Sequence, residues 1–193
     1  MRVILFLAFI GAANCLQCKV CENRNGMECP DLSKTCEEGE EFCEFSIVEV
    51  HYEGQQPIHM VFKGCVKGPF VDLYYTETVK GLTDRSKTVY CKENNCNSGV
   101  MTFGPRNSTL NGVTCHACLT LGTSGCDEVT RIECTGEEEH CSYFIGDEDL
   151  TGDNPVKLTA SGCVNMASCD PSIRFPGRLI PTIQHFDCFS PLW

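Results

Sequence analysis

The chain has 193 residues, a formal net charge of −11 and 17 cysteines. Nucleic acids and anionic membranes select clustered lysine and arginine, so an acidic chain without such clusters is expected to bind neither. The cysteine density is that of a secreted disulfide scaffold.

Residues 1–15 read as a signal peptide. Arg2 gives a basic start, Val3 to Ile10 is an unbroken apolar run, and Gly11, Ala12 and Ala13 supply small residues for cleavage. The run is too short to cross a bilayer, which takes about 20 residues. Cleavage after Ala13 and cleavage after Cys15 both fit these residues. Cysteine parity favours the second, because losing Cys15 leaves 16 cysteines, and an odd thiol is awkward in an oxidising compartment. The expected mature chain starts at Leu16 and keeps 14 basic and 26 acidic residues, a net charge of −12. That charge suits steering toward a basic protein, and it also suits plain solubility.

From Leu16 onward the cysteines form a ladder that occurs twice. The first copy is Cys18-x2-Cys21-x7-Cys29-x6-Cys36-x6-Cys43-x21-Cys65. The second is Cys115-x2-Cys118-x7-Cys126-x7-Cys134-x6-Cys141-x21-Cys163. Gly64 and Gly162 precede the last member of each. An internal repeat of this precision implies two modules, expected at residues 16–100 and 114–193 with a linker at 101–113. Modules this small bury a marginal core, and each disulfide contributes about 2–4 kcal/mol. The bonds are expected to carry the fold.

Within the first module, residues 22–28 are turn-rich, and Glu37, Glu38, Glu40 and Glu41 crowd around Gly39 as a solvated turn. Phe45, Ile47 and Tyr52, among the β-branched Val48 and Val50, read as a strand whose alternation is imperfect. Glu53 to Pro57 is a turn, and Ile58 to Lys63 returns as the partner strand, giving a long hairpin with Cys43 and Cys65 at its base. Residues 72–80 and 87–91 read as shorter strands. Phe45, Ile47, Tyr52, Met60 and Phe62 form an apolar set on the hairpin, of which an exposed subset is expected to make a binding face.

The linker holds Gly104-Pro105 and the sequon Asn107-Ser108-Thr109, so it is expected to be flexible and glycosylated at Asn107. In the second module Glu137, Glu138 and Glu139 repeat the acidic turn. Residues 143–145 and 156–160 rebuild the long hairpin, with Asp147, Glu148, Asp149 and Asp153 at an acidic tip. No stretch has helical periodicity.

This pattern resembles the urokinase-receptor and lymphocyte-antigen-six family of three-finger domains. The specific marks are Leu16-x-Cys18-x2-Cys21 at the opening and Cys91-x4-Cys96-Asn97 at the close of the first module. The resemblance implies an all-β, small disulfide-rich fold of two tandem three-finger, snake-toxin-like domains. It also implies a pairing that spacing alone leaves open. In the first module this joins Cys18 to Cys43, Cys21 to Cys29, Cys36 to Cys65 and Cys91 to Cys96. In the second it joins Cys115 to Cys141, Cys118 to Cys126, Cys134 to Cys163 and Cys169 to Cys188. The second module departs from the family at its end, where Cys188-Phe189 replaces the usual Cys-Cys-x4-Cys-Asn, and a lipid anchor is not expected from these residues. Soluble two-domain members of this layout are similar to gamma-type phospholipase A2 inhibitors, and the secreted pheromone-like factors share the plan. The implied function is that of a secreted binder occluding a protein partner such as a secreted phospholipase A2. The alternative is a signalling ligand read by a receptor.

Catalytic and metal chemistry is not expected. His51, His59, His116, His140 and His185 accompany no Gly-x-Ser-x-Gly or His-Glu-x-x-His motif. The two Cys-x2-Cys pairs have disulfide partners rather than a redox or zinc context, and the acidic runs lack EF-hand spacing. No cofactor is implied.

Overall fold

A computed structural model describes residues 15–68, 71–148, 155–170 and 182–191. Residues 1–14 of the expected signal peptide lie outside them. In the first module, β1 (Gln17–Asn23) and β2 (Leu32–Thr35) make finger one, β3 (Phe42–Tyr52) and β4 (Ile58–Val66) finger two, and β5 (Leu73–Val79) and β6 (Leu82–Cys91) finger three. The second module has β7 (Leu110–Leu121) with β8 (Thr130–Thr135), then β9 (His140–Glu148) with β10 (Val156–Val164), and β11 (Thr182–Phe189). The fold is two tandem three-finger modules, antiparallel throughout the described strand pairs.

The fingers grow from a disulfide base. Cys18–Cys43, Cys21–Cys29, Cys36–Cys65 and Cys91–Cys96 hold the first module, and Cys115–Cys141, Cys118–Cys126, Cys134–Cys163 and Cys169–Cys188 the second. These are the pairs the family resemblance implies. Cys43 and Cys65 face each other across β3 and β4, but each bonds to finger one, so the hairpin is fastened to its neighbour and not to itself. Leu16 packs on this sulfur core, and its carbonyl accepts from the Cys36 N–H at 2.8 Å. Asn97 explains the Cys-Asn signature in physical terms. Its buried amide accepts from the Lys19 N–H at 2.8 Å and donates to the carbonyls of Lys19 (2.9 Å) and Glu44 (2.8 Å), tying the module's end to its start.

The hairpin β3–β4 is longer than the apolar pattern predicted, and its alternation is blurred for a structural reason. Residues 42–48 are all buried, because both faces of the sheet are covered. Phe45, Ile47 and Val61 pack with Met27, Cys29, Val89, Met101 and Phe103 on one face. Val48 and Phe62 pack with Val50 and Met60 on the other. Ser46, opposite Phe62 in the ladder, and Thr88 are buried on this second face, their hydroxyls 2.8 Å apart.

The expected flexible linker at 101–113 needs correction. Met101 and Phe103 belong to the first module's core, and β7 already begins at Leu110. Arg85 lies 4.4 Å over the Phe103 ring and donates to the Gly104 carbonyl at 2.9 Å. Arg106 donates to Thr78 Oγ1 at 2.7 Å and pairs with Glu138 at 3.2 Å. Arg85 from β6 and Arg106 from the segment itself fasten residues 103–106 to the modules.

The modules share one sheet. Beyond the reach of β7, the end of β10 pairs with β5 through Gly162–Val79, Cys163–Thr78 and Val164–Glu77. Asn165 clamps the docked strand, accepting from the Thr76 N–H (3.3 Å) and donating to the Tyr74 carbonyl (2.7 Å). Ser142 Oγ donates to Glu77 Oε1 at 3.1 Å, and Lys80 pairs with Glu128. Val79 and Leu82 extend into the second module's apolar cluster of Phe144, Leu158 and Ala160. A junction that joins ladder hydrogen bonds, side-chain clamps and apolar packing holds the two modules as one body.

Candidate interaction surface

Of the apolar set expected on the first hairpin, Phe45, Ile47 and Phe62 are core residues and offer no surface. Tyr52 and Met60 are half-buried, and Ile58 at the tip is exposed. The opposite face of this hairpin carries a charged hub. Glu49 accepts from Arg85 Nε at 2.8 Å and lies 2.9 Å from His59 Nε2. Burial pushes the Glu49 carboxyl up, and the hydrogen bonds and charges of Arg85 and His59 more than offset it, so the group sits below its ordinary range. This hub holds Arg85 on the linker and is structural.

Glu44, on β3, is different. It is 5% exposed, and its Oε1 has no hydrogen-bond partner among the described residues. Burial lifts its carboxyl to about 7. Facing Tyr90 is raised by burial, then by the charges of Glu44 and Asp72.

On the second hairpin, Asp147 is half-buried and held by Gln184 Nε2 at 3.1 Å, with Lys157 directly opposite it in the ladder. The side chain of Glu148, and Asp149 and Asp153, lie outside the described residues, so the expected acidic tip is described only at Asp147. The acidic turn before Cys141 is not wholly solvated as expected. Glu138 is 1% exposed and accepts from Thr76 Oγ1 (3.1 Å), Thr78 Oγ1 (2.8 Å) and Arg106.

The sequence reading missed an apolar row on the second module. Ile183, Gly146, Leu158 and Leu121 are successive cross-strand partners on β11, β9, β10 and β7, so they share one face, and Val156 lies two residues along it. Ile183, Val156 and Leu121 are 38%, 38% and 57% exposed around a buried Leu158. The alternation Val156, Leu158, Ala160 was the available signal, but it does not say where cover ends. A cleft of about 500 Å³ lies at the module junction between Tyr74, Lys87, Val89, Phe103, Arg106 and Glu137. Asn107 stands exposed on its wall, its Oδ1 accepting from the Thr109 N–H at 3.1 Å.

Two sulfur triplets, Cys18–Cys36–Cys65 and Cys115–Cys134–Cys163, are close enough to suggest metal sites. Every one of these sulfurs is in a disulfide and offers no thiolate. Among the described residues no helix is long and apolar enough to cross a membrane.

The u-PAR/Ly-6 domain model matches this chain twice, at residues 14–99 and 111–192. The phospholipase A2 inhibitor NAI of Notechis ater is 29% identical over 168 residues, covering 86% of this chain and 82% of that protein. A phospholipase A2 inhibitor gamma subunit of Gloydius brevicaudus siniticus is 27% identical over 179 residues, covering 88% of this chain and 86% of its own. Among solved structures, mouse TEX101 aligns over 92% of this chain and 99% of its own, with 19% identity and a TM-score of 0.41.

Proposed function

The chain belongs to the u-PAR/Ly-6 domain family, and from that premise we propose that it is a secreted, non-catalytic binder that inhibits a secreted phospholipase A2 by occlusion. The observation carrying this reading is that similarity to named phospholipase A2 inhibitors runs through both modules. Occlusion needs no chemistry from the chain. It needs a stiff body and a desolvatable face, because only a face that keeps its shape can cover a lipid-facing surface without a large ordering cost. The strand-paired junction supplies stiffness. The row Ile183, Val156 and Leu121 supplies apolar anchors of the kind that concentrate interface energy. The net charge favours approach to a basic enzyme.

The mature chain begins at Leu16, which removes the unpaired Cys15 and leaves Leu16 seated on the sulfur core. Asn107 carries a glycan at the mouth of the junction cleft. Hydrolysis by a panel of basic and acidic secreted phospholipases, assayed on vesicles and on a soluble monomeric substrate, tests the reading. Occlusion of the lipid-facing surface lowers vesicle hydrolysis far more than hydrolysis of the soluble substrate. No binding and no inhibition across the panel contradicts the proposal in favour of the signalling role, and an intrinsic hydrolase activity contradicts both.

A further inference from the structure

The cleft at the module junction takes its walls from both modules. One wall is the face of β5 and β6 that carries Tyr74 and Lys87, directly opposite each other in the ladder. The other is the acidic turn of the second module at Gly136 and Glu137, with the sequon laid along it. The sequon is fastened there through its backbone. The Gly136 N–H donates to the Thr109 carbonyl at 2.9 Å, and the Asn111 amide donates to the carbonyls of Gly136 (3.2 Å) and Glu138 (3.1 Å). Gly136 has a φ of 55°, and a Cβ there would fall 2.9 Å from the Asn107 carbonyl oxygen, so the two backbones lie in close contact. Asn107 thus has a fixed place on the cleft wall.

The lining has the chemistry of a sugar site. Three cationic side chains, Arg85, Lys87 and Arg106, face three acidic ones, Asp72, Glu137 and Glu138, so the cleft selects a neutral occupant over an ion. Tyr74 is 37% exposed, and Phe103 is fixed by Arg85 stacked 4.4 Å over its ring. Aromatic rings offer flat apolar faces to the C–H face of a pyranose. Among the described residues neither the Lys87 ammonium nor the Glu137 carboxylate has a hydrogen-bonding partner, so a donor and an acceptor stand ready for hydroxyl and amide groups. The volume of about 500 Å³ falls in the range of about 300–1,000 Å³ in which proteins hold small molecules.

We propose that this cleft seats the first N-acetylglucosamine of a glycan on Asn107, so that the sugar staples the two modules together; this rests on the glycosylation of Asn107 proposed above. The Asn107 Oδ1 accepts from the Thr109 N–H, which leaves Nδ2, the atom of attachment, unengaged among the described residues. The covalent tether holds the sugar at an effective concentration of about millimolar, so contacts too weak to capture a free sugar suffice. Each module supplies one wall, so a seated ring binds the docked state and opposes separation.

The secreted mature chain is compared with Thr109→Ala, which removes the sequon and keeps the Asn107 side chain. Mass spectrometry first reads the glycan on wild type. A bare Asn107 overturns the glycosylation and the seat together, whereas a glycan without the following effects overturns the seat alone. Thr109→Ala should melt about 3 °C below wild type. Its Lys87 should react at least about threefold faster with a water-soluble acylating reagent, read by peptide mass spectrometry. Enzymatic trimming of the glycan to a single N-acetylglucosamine should preserve both differences. Tyr74→Ala, made in both backgrounds, should abolish them even if it lowers stability in each. Equal melting or equal Lys87 labelling of wild type and Thr109→Ala overturns the seat. So does a difference that is lost on trimming or unchanged by Tyr74→Ala.

Discussion

The two modules carry the same ladder, but the second is fitted around the third finger of the first. Glu40 and Glu138 show this at one position. Both carboxylates turn back on their own loop, Glu40 accepting from the Glu37 N–H at 2.7 Å and Glu138 from the Thr135 N–H at 3.4 Å. Only Glu138 also receives Thr76, Thr78 and Arg106 from across the junction. The same division separates Gly64 from Gly162 and Lys67 from Asn165. A repeat fixes local structure through its disulfides, and what docks against each copy then decides which residues are buried.

The largest effect should come from the hairpin that is covered on both faces. Phe45→Ala removes a ring packed against Ile47 and Val61 and should cost about 4 kcal/mol in denaturant unfolding. Ile183→Ala, at a partly exposed apolar residue on β11 of the second module, should cost less than about 1 kcal/mol. Equal losses would erase the distinction between the covered hairpin and the exposed row.

Next, the junction can be broken at one glycine and left intact at its counterpart. Gly162→Ala forces β5 away from β10 and should cost about 3 kcal/mol, because its Cβ would fall 2.0 Å from the Thr78 carbonyl oxygen, and a backbone oxygen cannot move aside as a side-chain tip can. Gly64→Ala, where none of the described residues lies within 4 Å of the Cβ, should change stability by no more than about 0.5 kcal/mol. Thermal melting of the pair reads the difference directly.

Glu44 sharpens the comparison through pH. Its folded pKa, about 7, lies above its ordinary value of 4.5, so the folded state holds a proton that the unfolded state has released. Stability from this group is therefore full below about pH 4.5, falls as pH rises through 7, and is lost above it. At pH 8, Glu44→Gln should be more stable than wild type by at most about 3 kcal/mol, with the advantage vanishing near pH 4. Ser142, the corresponding residue, carries no charge of its own, and Ser142→Ala should cost about 1 kcal/mol at neutral pH through its lost hydrogen bond to Glu77. A Glu44→Gln difference that does not vary with pH would contradict this.

How much of this was legible beforehand depends on the kind of residue. Cysteine spacing, with the family resemblance, was enough for fold and pairing, because a disulfide base constrains the chain whatever surrounds it. Burial on the hairpin was not legible. Phe45 and Ile47 alternate as they would on one face of a strand, and nothing local shows that Met101 and Phe103 return to cover that face while Val48, Val50 and Met60 pack around Phe62 on the other. Glu138 looked like any acid in a charged turn, since its partners Thr76 and Thr78 lie about 60 residues away in sequence. Gly162 was conspicuous, but its reason is the backbone of another module. The apolar row was missed for the same cause: Ile183, Leu158 and Leu121 come from three strands, and only their register brings them together.

The central claim is occlusion by a stiff two-module body with its anchors in the apolar row across β11, β10 and β7 of the second module. Ile183→Asp with Leu121→Asp puts charge into that row and should leave the fold intact, since both side chains are exposed. Surface-immobilised secreted phospholipase A2 measures the consequence. The double variant should dissociate at least about tenfold faster than wild type, with vesicle protection lost in parallel. Unchanged dissociation of a correctly folded double variant, from an enzyme that wild type inhibits, would contradict it.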